Sequence, residues 1–163
     1  CFDMGVSAEG IKDAVEKFTG AGRRFEFLGE YDGFMLADDY AHHPTEIKAT
    51  LSAAKELDYN NVIAVFQPFT FSRTALLKDD FIKALSIADK VILTPIMGSR
   101  EKNTYGIKSE DLAAGLHDVC VVDGFENIAD KIEEIAHPGD LVITMGGGDI
   151  YKAAHIIQGR HAK

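Results

Sequence analysis

Short apolar segments alternate with amphipathic ones along most of the chain, and this alternation restricts the fold more than any other feature. Residues 62–66 (VIAVF) are typical of a strand buried on both faces of a sheet. Residues 78–88 instead carry apolar side chains at helical spacing. Strands that alternate with helices pair in parallel through right-handed crossovers. The sequence therefore predicts a Rossmann-like, doubly wound, mostly parallel α/β sheet with helices on both faces.

The first strands depart from this alternation. Residues 25–31 and 34–39 are predicted strands, and Asp32-Gly33 between them is typical of a tight hairpin turn. They add one antiparallel hairpin strand to a sheet of about six strands. The same patterns predict helices over residues 8–18, 109–116 (with Ser109 as its N-cap), 127–136 and 149–158, a helix beginning at Pro44, and strands over residues 90–94, 119–122 and 140–144.

Length and composition narrow the function classes. The 163 residues fit one domain, and a net charge of −9 argues against the clustered basic face of a nucleic-acid-binding protein. No stretch approaches the roughly 20 apolar residues of a membrane span, and no secretory signal is visible. Two cysteines make no disulfide framework, which fits a reducing compartment. We expect a cytoplasmic protein that does not bind nucleic acid or membranes and is monomeric as an isolated domain.

The most concentrated set of reactive side chains is DDYAHHP at residues 38–44, directly after a predicted strand. Ligands of such sheets collect beyond the carboxyl ends of the strands. A carboxylate there can accept hydrogen bonds from ribose hydroxyls, and tyrosine and histidine can contact a base or a polar substrate. Asp38, Asp39, His42 and His43 could instead bind a metal ion. A third interpretation is structural, with His43 capping the helix and Asp38 a solvated turn residue.

Two further segments contain arginines. Arg24, in GRRFE at residues 22–26, offers a planar fork suited to phosphate, or belongs to a surface pair beside a strand. Arg73, in QPFTFSRT at residues 67–74, could pair with a carboxylate, or could be an exposed arginine where a helix starts. The residues alone leave both choices open.

The segment GGGD at residues 146–149 separates the last predicted strand from the last helix. Glycines there allow close approach of a ligand, and a helix N-terminus favours anions, although tight strand–helix packing explains them equally well. The sequence contains no Walker phosphate loop, no Cys/His zinc spacing and no nucleophile elbow.

Together these segments resemble the C-terminal domain of the Mur ligases. RFE at 24–26, DYAHxP at 39–44 and the glycine-rich segment carry the family resemblance. The doubled histidine with FQP at 66–68 and SRT at 72–74 resembles the branch that joins L-alanine to UDP-N-acetylmuramic acid. The resemblance covers about residue 20 onward. We therefore expect residues 1–20 to be the tail or linker of a central ATPase domain and residues 21–163 to be the C-terminal domain.

The resemblance implies an ATP-dependent ligase of three domains, in which the last closes over ATP and receives the amino acid. The muramoyl carboxylate becomes an acyl phosphate, which the amine of L-alanine attacks. ATP and Mg²⁺ would be held mainly by the other domains. This chain alone is therefore expected to be inactive, and no metal ligand is assigned to it.

The resemblance also implies residue roles. Arg24 would contact the nucleotide phosphates, Asp39 the ribose, and Arg73 the carboxylate of L-alanine. Tyr40, His42 and His43 would border the nucleotide and the amino acid, with Arg24, His42 and His43 as the catalytic set. Phe69, Thr70 and Gly147 depart from the family pattern. Two alternatives are kept: a recycling ligase that adds a tripeptide, and a metal-dependent hydrolase using Asp38, Asp39, His42 and His43.

Overall fold

The computed structural model describes residues 5–17 and 22–162. The first helix, α1, spans Ala8–Glu16, and the Ser7 side chain accepts a hydrogen bond from the Gly10 amide at its start. None of its residues is buried. The last residues of the predicted helix over 8–18, and the domain boundary predicted near residue 20, lie partly outside the described residues.

A six-stranded sheet confirms the predicted fold class. The order is β1-β2-β6-β3-β4-β5, in which only β1 and β2 are antiparallel. Every predicted strand is present, and no strand end differs from its predicted position by more than one residue. The strands are β1 Glu26–Tyr31, β2 Phe34–Asp39, β3 Val62–Phe66, β4 Lys90–Leu93, β5 Val119–Val121 and β6 Leu141–Met145.

The hairpin between β1 and β2 turns at the predicted dipeptide. Asp32 and Gly33 both have positive φ, at 47° and 86°, as a type I′ turn requires. A Cβ on Gly33 would lie 2.8 Å from the Cβ of Pro138, so the turn packs against the segment that leads into β6. The edge hairpin is thereby attached to the centre of the sheet.

Helices cover both faces of the sheet, as predicted. The helices α2, α4 and α5 contribute to one apolar core, and α6 and α7 contribute to the other. Their bounds are α2 Pro44–Lys55, α3 Phe71–Leu76, α4 Lys78–Leu85, α5 Ser109–Ala113, α6 Phe125–Ile135 and α7 Tyr151–His161. No helix of the described residues has the length and apolar character needed to cross a membrane.

Two details differ from the sequence-based predictions. The short helix α3 begins at Phe71 with Thr70 as its N-cap, whereas the sequence offered a helix start near Arg73 only as one of two interpretations and predicted the helix itself from residue 78. Ser109 is not the N-cap of α5, because its hydroxyl donates to the carbonyl oxygen of Thr94 at 2.6 Å and Lys108 holds the cap position. Ser109 is 2% exposed, so its hydroxyl bonds the neighbouring backbone and not the helix start.

The topology places a crevice at one end of the sheet. The central strand β6 lies between β2 and β3. The loops after β2 and β3 lead to helices on one face, whereas the loop after β6 leads to α7 on the other. Neighbouring parallel strands whose loops diverge in this way leave a crevice at their carboxyl ends, where ligands of such folds bind.

Candidate functional site

Three loops meet at this crevice and bring most of the predicted site residues together. The rings of Tyr40 and His42 lie 5.1 Å apart. The guanidinium carbon of Arg24 is 5.8 Å from the Tyr40 ring centroid, and Arg73 Nη1 donates to the His42 carbonyl oxygen at 3.4 Å. Among the described residues, neither Arg24 nor Arg73 forms an ion pair within 4 Å. One arginine therefore lies beside the Tyr40 ring, and the other lies beside the His42 backbone.

Hydrogen bonding fixes the tautomer of His42. Its Nδ1 lies 2.9 Å from the carbonyl oxygen of Tyr40 and 3.4 Å from Glu46 Oε2. Both neighbours are acceptors, so Nδ1 carries a proton. In the neutral ring Nε2 is then an acceptor, and the described residues include no partner for it. His42 therefore offers a base at the rim.

In His43 the other ring nitrogen carries the proton, because this residue is the N-cap of α2. Its Nδ1 accepts from the Thr45 amide at 3.3 Å, so in the neutral ring the proton is on Nε2. The Glu46 carboxylate completes the capping box by accepting from the amides of His42 and His43. Those bonds, the one from His42 first, lower the pKa of Glu46. The structural role considered for His43 is thus present, and its Nε2–H is still a donor.

Asp39 organises the turn that carries these residues. Its Oδ1 accepts from the Ala41 amide at 2.7 Å and its Oδ2 from the Phe25 amide at 2.8 Å. The side chain is almost enclosed, with 6% of the residue exposed. The ribose role that the resemblance implies depends on the lone pair that each oxygen retains.

Asp38 is neither a solvated turn residue nor a partner of the histidines. Its Oδ2 accepts from Arg23 Nε and its Oδ1 from the Thr144 hydroxyl, each at 2.6 Å. Its side chain is 3% exposed. Within the described residues, no group of three or more His, Cys, Asp or Glu side chains is arranged to hold a metal ion. The set of ligands considered for a metal-dependent hydrolase therefore loses Asp38, because both oxygens of its buried carboxylate bind other side chains.

The helix α3, which carries Arg73, is fixed at its start by two acceptors. The hydroxyl oxygen of Thr70 accepts from the Arg73 amide, and the Glu101 carboxylate accepts from the amide and hydroxyl of Ser72 at 2.8 and 2.6 Å. The hydrogen bond from the Ser72 hydroxyl is the main cause of a lowered Glu101 pKa. Residues 95–106 are thereby tied to the helix that presents Arg73.

The glycine-rich loop is in close contact with the other two loops. A Cβ on Gly147 would lie 3.3 Å from the His42 ring, and one on Gly148 would lie 2.5 Å from Gln67 Oε1. That amide oxygen is buried and has no hydrogen-bond partner among the described residues. These glycines therefore allow His42 and Gln67 to approach the β6 strand end, which sequence patterns did not predict.

A cavity of about 500 Å³ lies beside the crevice, between α2 and α4. His43, Thr45, Lys48 and Lys83 are among the residues that line it. It shares only His43 with the predicted set, so we assign the site to the crevice, where the contacts converge.

The match to a known family settles the kind of domain. The family model described as "Mur ligase, glutamate ligase domain" matches residues 23–148, which include β1 to β6 and the whole crevice. The chain belongs to the Mur ligase family. The resemblance expected from the sequence is thereby confirmed.

Curated relatives are similar over nearly the whole chain. A UDP-N-acetylmuramate–L-alanine ligase of Caldicellulosiruptor saccharolyticus is 48% identical over 160 residues, which are 96% of this chain and 35% of that protein. The protein of the same name from Acetivibrio thermocellus is 46% identical over 96% of this chain and 34% of its own length. The chain thus spans about a third of the length of the curated relatives it matches.

Solved structures of Mur ligases and related enzymes share the fold. The UDP-N-acetylmuramate-alanine ligase of Thermotoga maritima aligns with a TM-score of 0.72 and 24% identity, over 98% of this chain and 34% of that one. A bifunctional folylpolyglutamate synthase of Yersinia pestis, complexed with AMPPNP and Mn ion, aligns with a TM-score of 0.68 and 20% identity over 96% of this chain and 35% of that one. At 20–24% identity these alignments show that the fold is shared, and no more than that.

Proposed function

We propose that this chain is the C-terminal domain of an ATP-dependent ligase that joins L-alanine to UDP-N-acetylmuramic acid in the cytoplasm. One observation carries the proposal: Arg24 beside the Tyr40 ring and Arg73 beside the His42 carbonyl form no ion pair among the described residues, and His42, whose ring contacts Tyr40, has Nε2 as an acceptor. One arginine can bind the carboxylate of an amino acid while the other binds the phosphate of a second substrate beside it. The names of the 46–48% identical relatives supply the substrates.

The acceptor amino acid would bind between Arg73 and His42. L-Alanine arrives as a zwitterion, so its carboxylate pairs with the Arg73 guanidinium and its ammonium faces His42. The ammonium must lose a proton before nitrogen can attack. His42 Nε2 takes that proton, and the free amine then attacks the acyl phosphate carbon. As the C–O bond breaks, the departing inorganic phosphate takes the second proton from the nitrogen, and the amide is formed.

Arg24 would act on the phosphate side of the reaction. Phosphoryl transfer from ATP to the muramoyl carboxylate gives ADP and the acyl phosphate, and negative charge accumulates on the transferred group. A guanidinium at the rim stabilises that charge. The His43 Nε2–H can donate to the same oxygens, and Tyr40, which is 36% exposed, borders both ligands.

ATP would be shared with other domains of the ligase. Mg²⁺ would likewise be held mainly by the other domains, and no step on this chain is assigned to it. We also propose that the chain alone is inactive and monomeric. Sedimentation of the isolated chain and an assay of ADP release test these two points.

Matched arginine variants of the full-length ligase test the division of roles. Arg73→Ala is expected to raise the KM for L-alanine by roughly 30–150-fold with the KM for ATP unchanged, because one charged hydrogen-bonded partner is lost. Arg24→Ala is expected to lower kcat by a similar factor and to leave the KM for L-alanine unchanged, because the lost guanidinium stabilises charge that develops during phosphoryl transfer. Each variant is the control for the other, and ADP release is the measurement. A ligase that accepts a tripeptide and not L-alanine would contradict the choice of substrate.

A further inference from the structure

Arg23 joins three segments of the crevice through one guanidinium group. Its Nε donates to Asp38 Oδ2 at 2.6 Å, while Nη2 and Nη1 donate to the carbonyl oxygens of Gly146 and Gly148 at 2.8 and 3.3 Å. Its side chain is 25% exposed. Because all three nitrogens have partners within the protein, this arginine differs from its neighbour Arg24, which has none among the described residues.

The same group packs between two tyrosine rings. The guanidinium carbon lies 5.2 Å from the ring centroid of Tyr40 and 4.8 Å from that of Tyr151. Cations at this distance are attracted to aromatic faces. Arg23 therefore restrains Tyr40, the ring that borders both ligands in the proposed reaction.

The hydrogen bonds to the glycine-rich loop also orient its peptide groups. The described chain contains no cis peptide bond, and a trans peptide directs its C=O and N–H to opposite sides. Arg23 holds the carbonyl groups of Gly146 and Gly148, so the N–H groups of Gly147 and Asp149 are directed away from it. The side of the loop that presents N–H groups is fixed by this contact.

We propose that Arg23 is a positioning residue of the ligase reaction. It holds Tyr40 and the loop 146–148 in place, and it leaves Arg24 as the arginine available to substrates. This inference rests on the proposed function.

A charge-balanced double variant separates positioning from simple stabilisation. Arg23→Met alone leaves the buried Asp38 carboxylate unpaired and is expected to unfold at a clearly lower temperature. Adding Asp38→Asn removes that charge, and the amide oxygen can still accept from Thr144. In the full-length ligase the double variant is expected to regain thermal stability, while its kcat/KM for L-alanine stays about tenfold or more below normal, because the loop and ring are misplaced. Recovery of both would overturn the proposal.

The control is an ion pair at the opposite end of the sheet. Lys55 Nζ and Asp89 Oδ2 are 2.8 Å apart, and Asp89 precedes β4. Lys55→Met with Asp89→Asn is expected to leave kcat/KM unchanged. A loss equal to that of the Arg23 variant would show a nonspecific effect and reject the proposal.

Nuclear magnetic resonance of the 163-residue chain provides a second readout that does not need ligase activity. In Arg23→Met/Asp38→Asn, the amide signals of residues 146–149 and the ring signals of Tyr40 are expected to move, and in the control pair they stay. Unmoved signals would overturn the inference even if the ligase is active. If the signals move but the unmodified full-length protein has no ligase activity, the proposed function is rejected and the positioning contact still stands.

Arg23→Lys keeps the positive charge but lacks the planar fork of the guanidinium group. Its kcat/KM for L-alanine is expected to lie between those of the unmodified ligase and Arg23→Met.

Discussion

Gly147 and Gly148 are adjacent, yet a side chain at each would meet different surroundings. At Gly147 the nearest atom is the His42 ring at 3.3 Å, whereas at Gly148 Gln67 Oε1 and Met97 Sδ lie at 2.5 and 2.6 Å. Neither glycine has a positive φ, so contact and not backbone strain decides the cost. The difference bears on Gly147, the glycine that departs from the pattern expected for the family.

Gly147→Ala is expected to change the free energy of unfolding by less than about 0.5 kcal/mol, because the neighbouring ring needs to move only slightly. Gly148→Ala is expected to cost about 1–3 kcal/mol, since it inserts a methyl group against the buried Gln67 amide. Urea unfolding of the two variants measures the difference. Equal costs would show that the loop is looser than its contacts indicate.

The capping box of α2 should make stability depend on pH. The folded-state pKa of Glu46 is lowered from 4.5, so its contribution is present above that value and is lost as pH falls through the folded-state pKa. Glu46→Gln keeps an acceptor but removes the charge. At about pH 7 the variant is expected to be less stable by at most about 1 kcal/mol, because the carboxylate is partly exposed. The stability difference between the two proteins should shrink as the pH is lowered below 4.5, and a difference that does not change with pH would contradict the assignment.

Sequence patterns predicted those site residues that stand in a recognisable local motif. Arg24, His42 and Arg73 were singled out from local motifs and do lie together in the crevice. Arg23 was left as half of a surface pair, because its partners Gly146 and Gly148 lie 123 and 125 residues away. The burial of the Gln67 side-chain oxygen likewise depends on the pairing of β3 with β6, which the sequence around Gln67 does not show. Contacts of this range have no local sequence signature.

Among the secondary-structure elements, α3 differs most from prediction. Buried strands such as β3 were predicted within a residue, because five consecutive apolar residues between polar ones have few alternatives. The helix α3 has six residues and receives part of its capping from Glu101, 29 positions after Ser72. An isolated helix of that length is unstable in water, so its formation depends on tertiary contacts that no local pattern reports.

Glu101→Ala is expected to affect the amino-acid site through α3. Without the carboxylate the first turn of α3 is less restrained, and Arg73 on that turn is held less accurately. We expect the KM for L-alanine to rise about 3–10-fold and the KM for ATP to stay constant. Glu110→Ala, at an exposed position at the start of α5, serves as the control. An equal rise for both substrates would indicate general loosening of the domain.

At the scale of the whole molecule, the layer formed by α6 and α7 is held partly by charge. Arg160 on α7 bonds three carboxylates of α6, those of Glu126, Asp130 and Glu133. Hydrogen bonds to Asp130 and Glu133 raise its pKa, so it is charged at any pH at which the protein is folded. In a molecule of net charge −9, this single cation also offsets local repulsion.

Arg160→Gln is expected to lower the thermal unfolding midpoint by a few degrees at low ionic strength, because three carboxylates then repel one another. The difference should shrink at about 0.5 M NaCl, where charges on the surface are screened. Lys12→Gln, in an exposed pair of α1, is the control and should have no effect. A salt-independent difference would mean that packing of the arginine stem, and not its charge, joins the helices.

The position of β6 in the sheet has a consequence for how the chain is synthesised. β2 and β3 are made more than 70 residues before Leu141–Met145, yet both pair with that strand and not with each other. Until β6 leaves the ribosome, their facing backbone edges and the apolar residues beside them have no native partner. The nascent chain therefore exposes aggregation-prone surface while residues 67–145 are made, and chaperones that bind extended apolar segments would act in that interval.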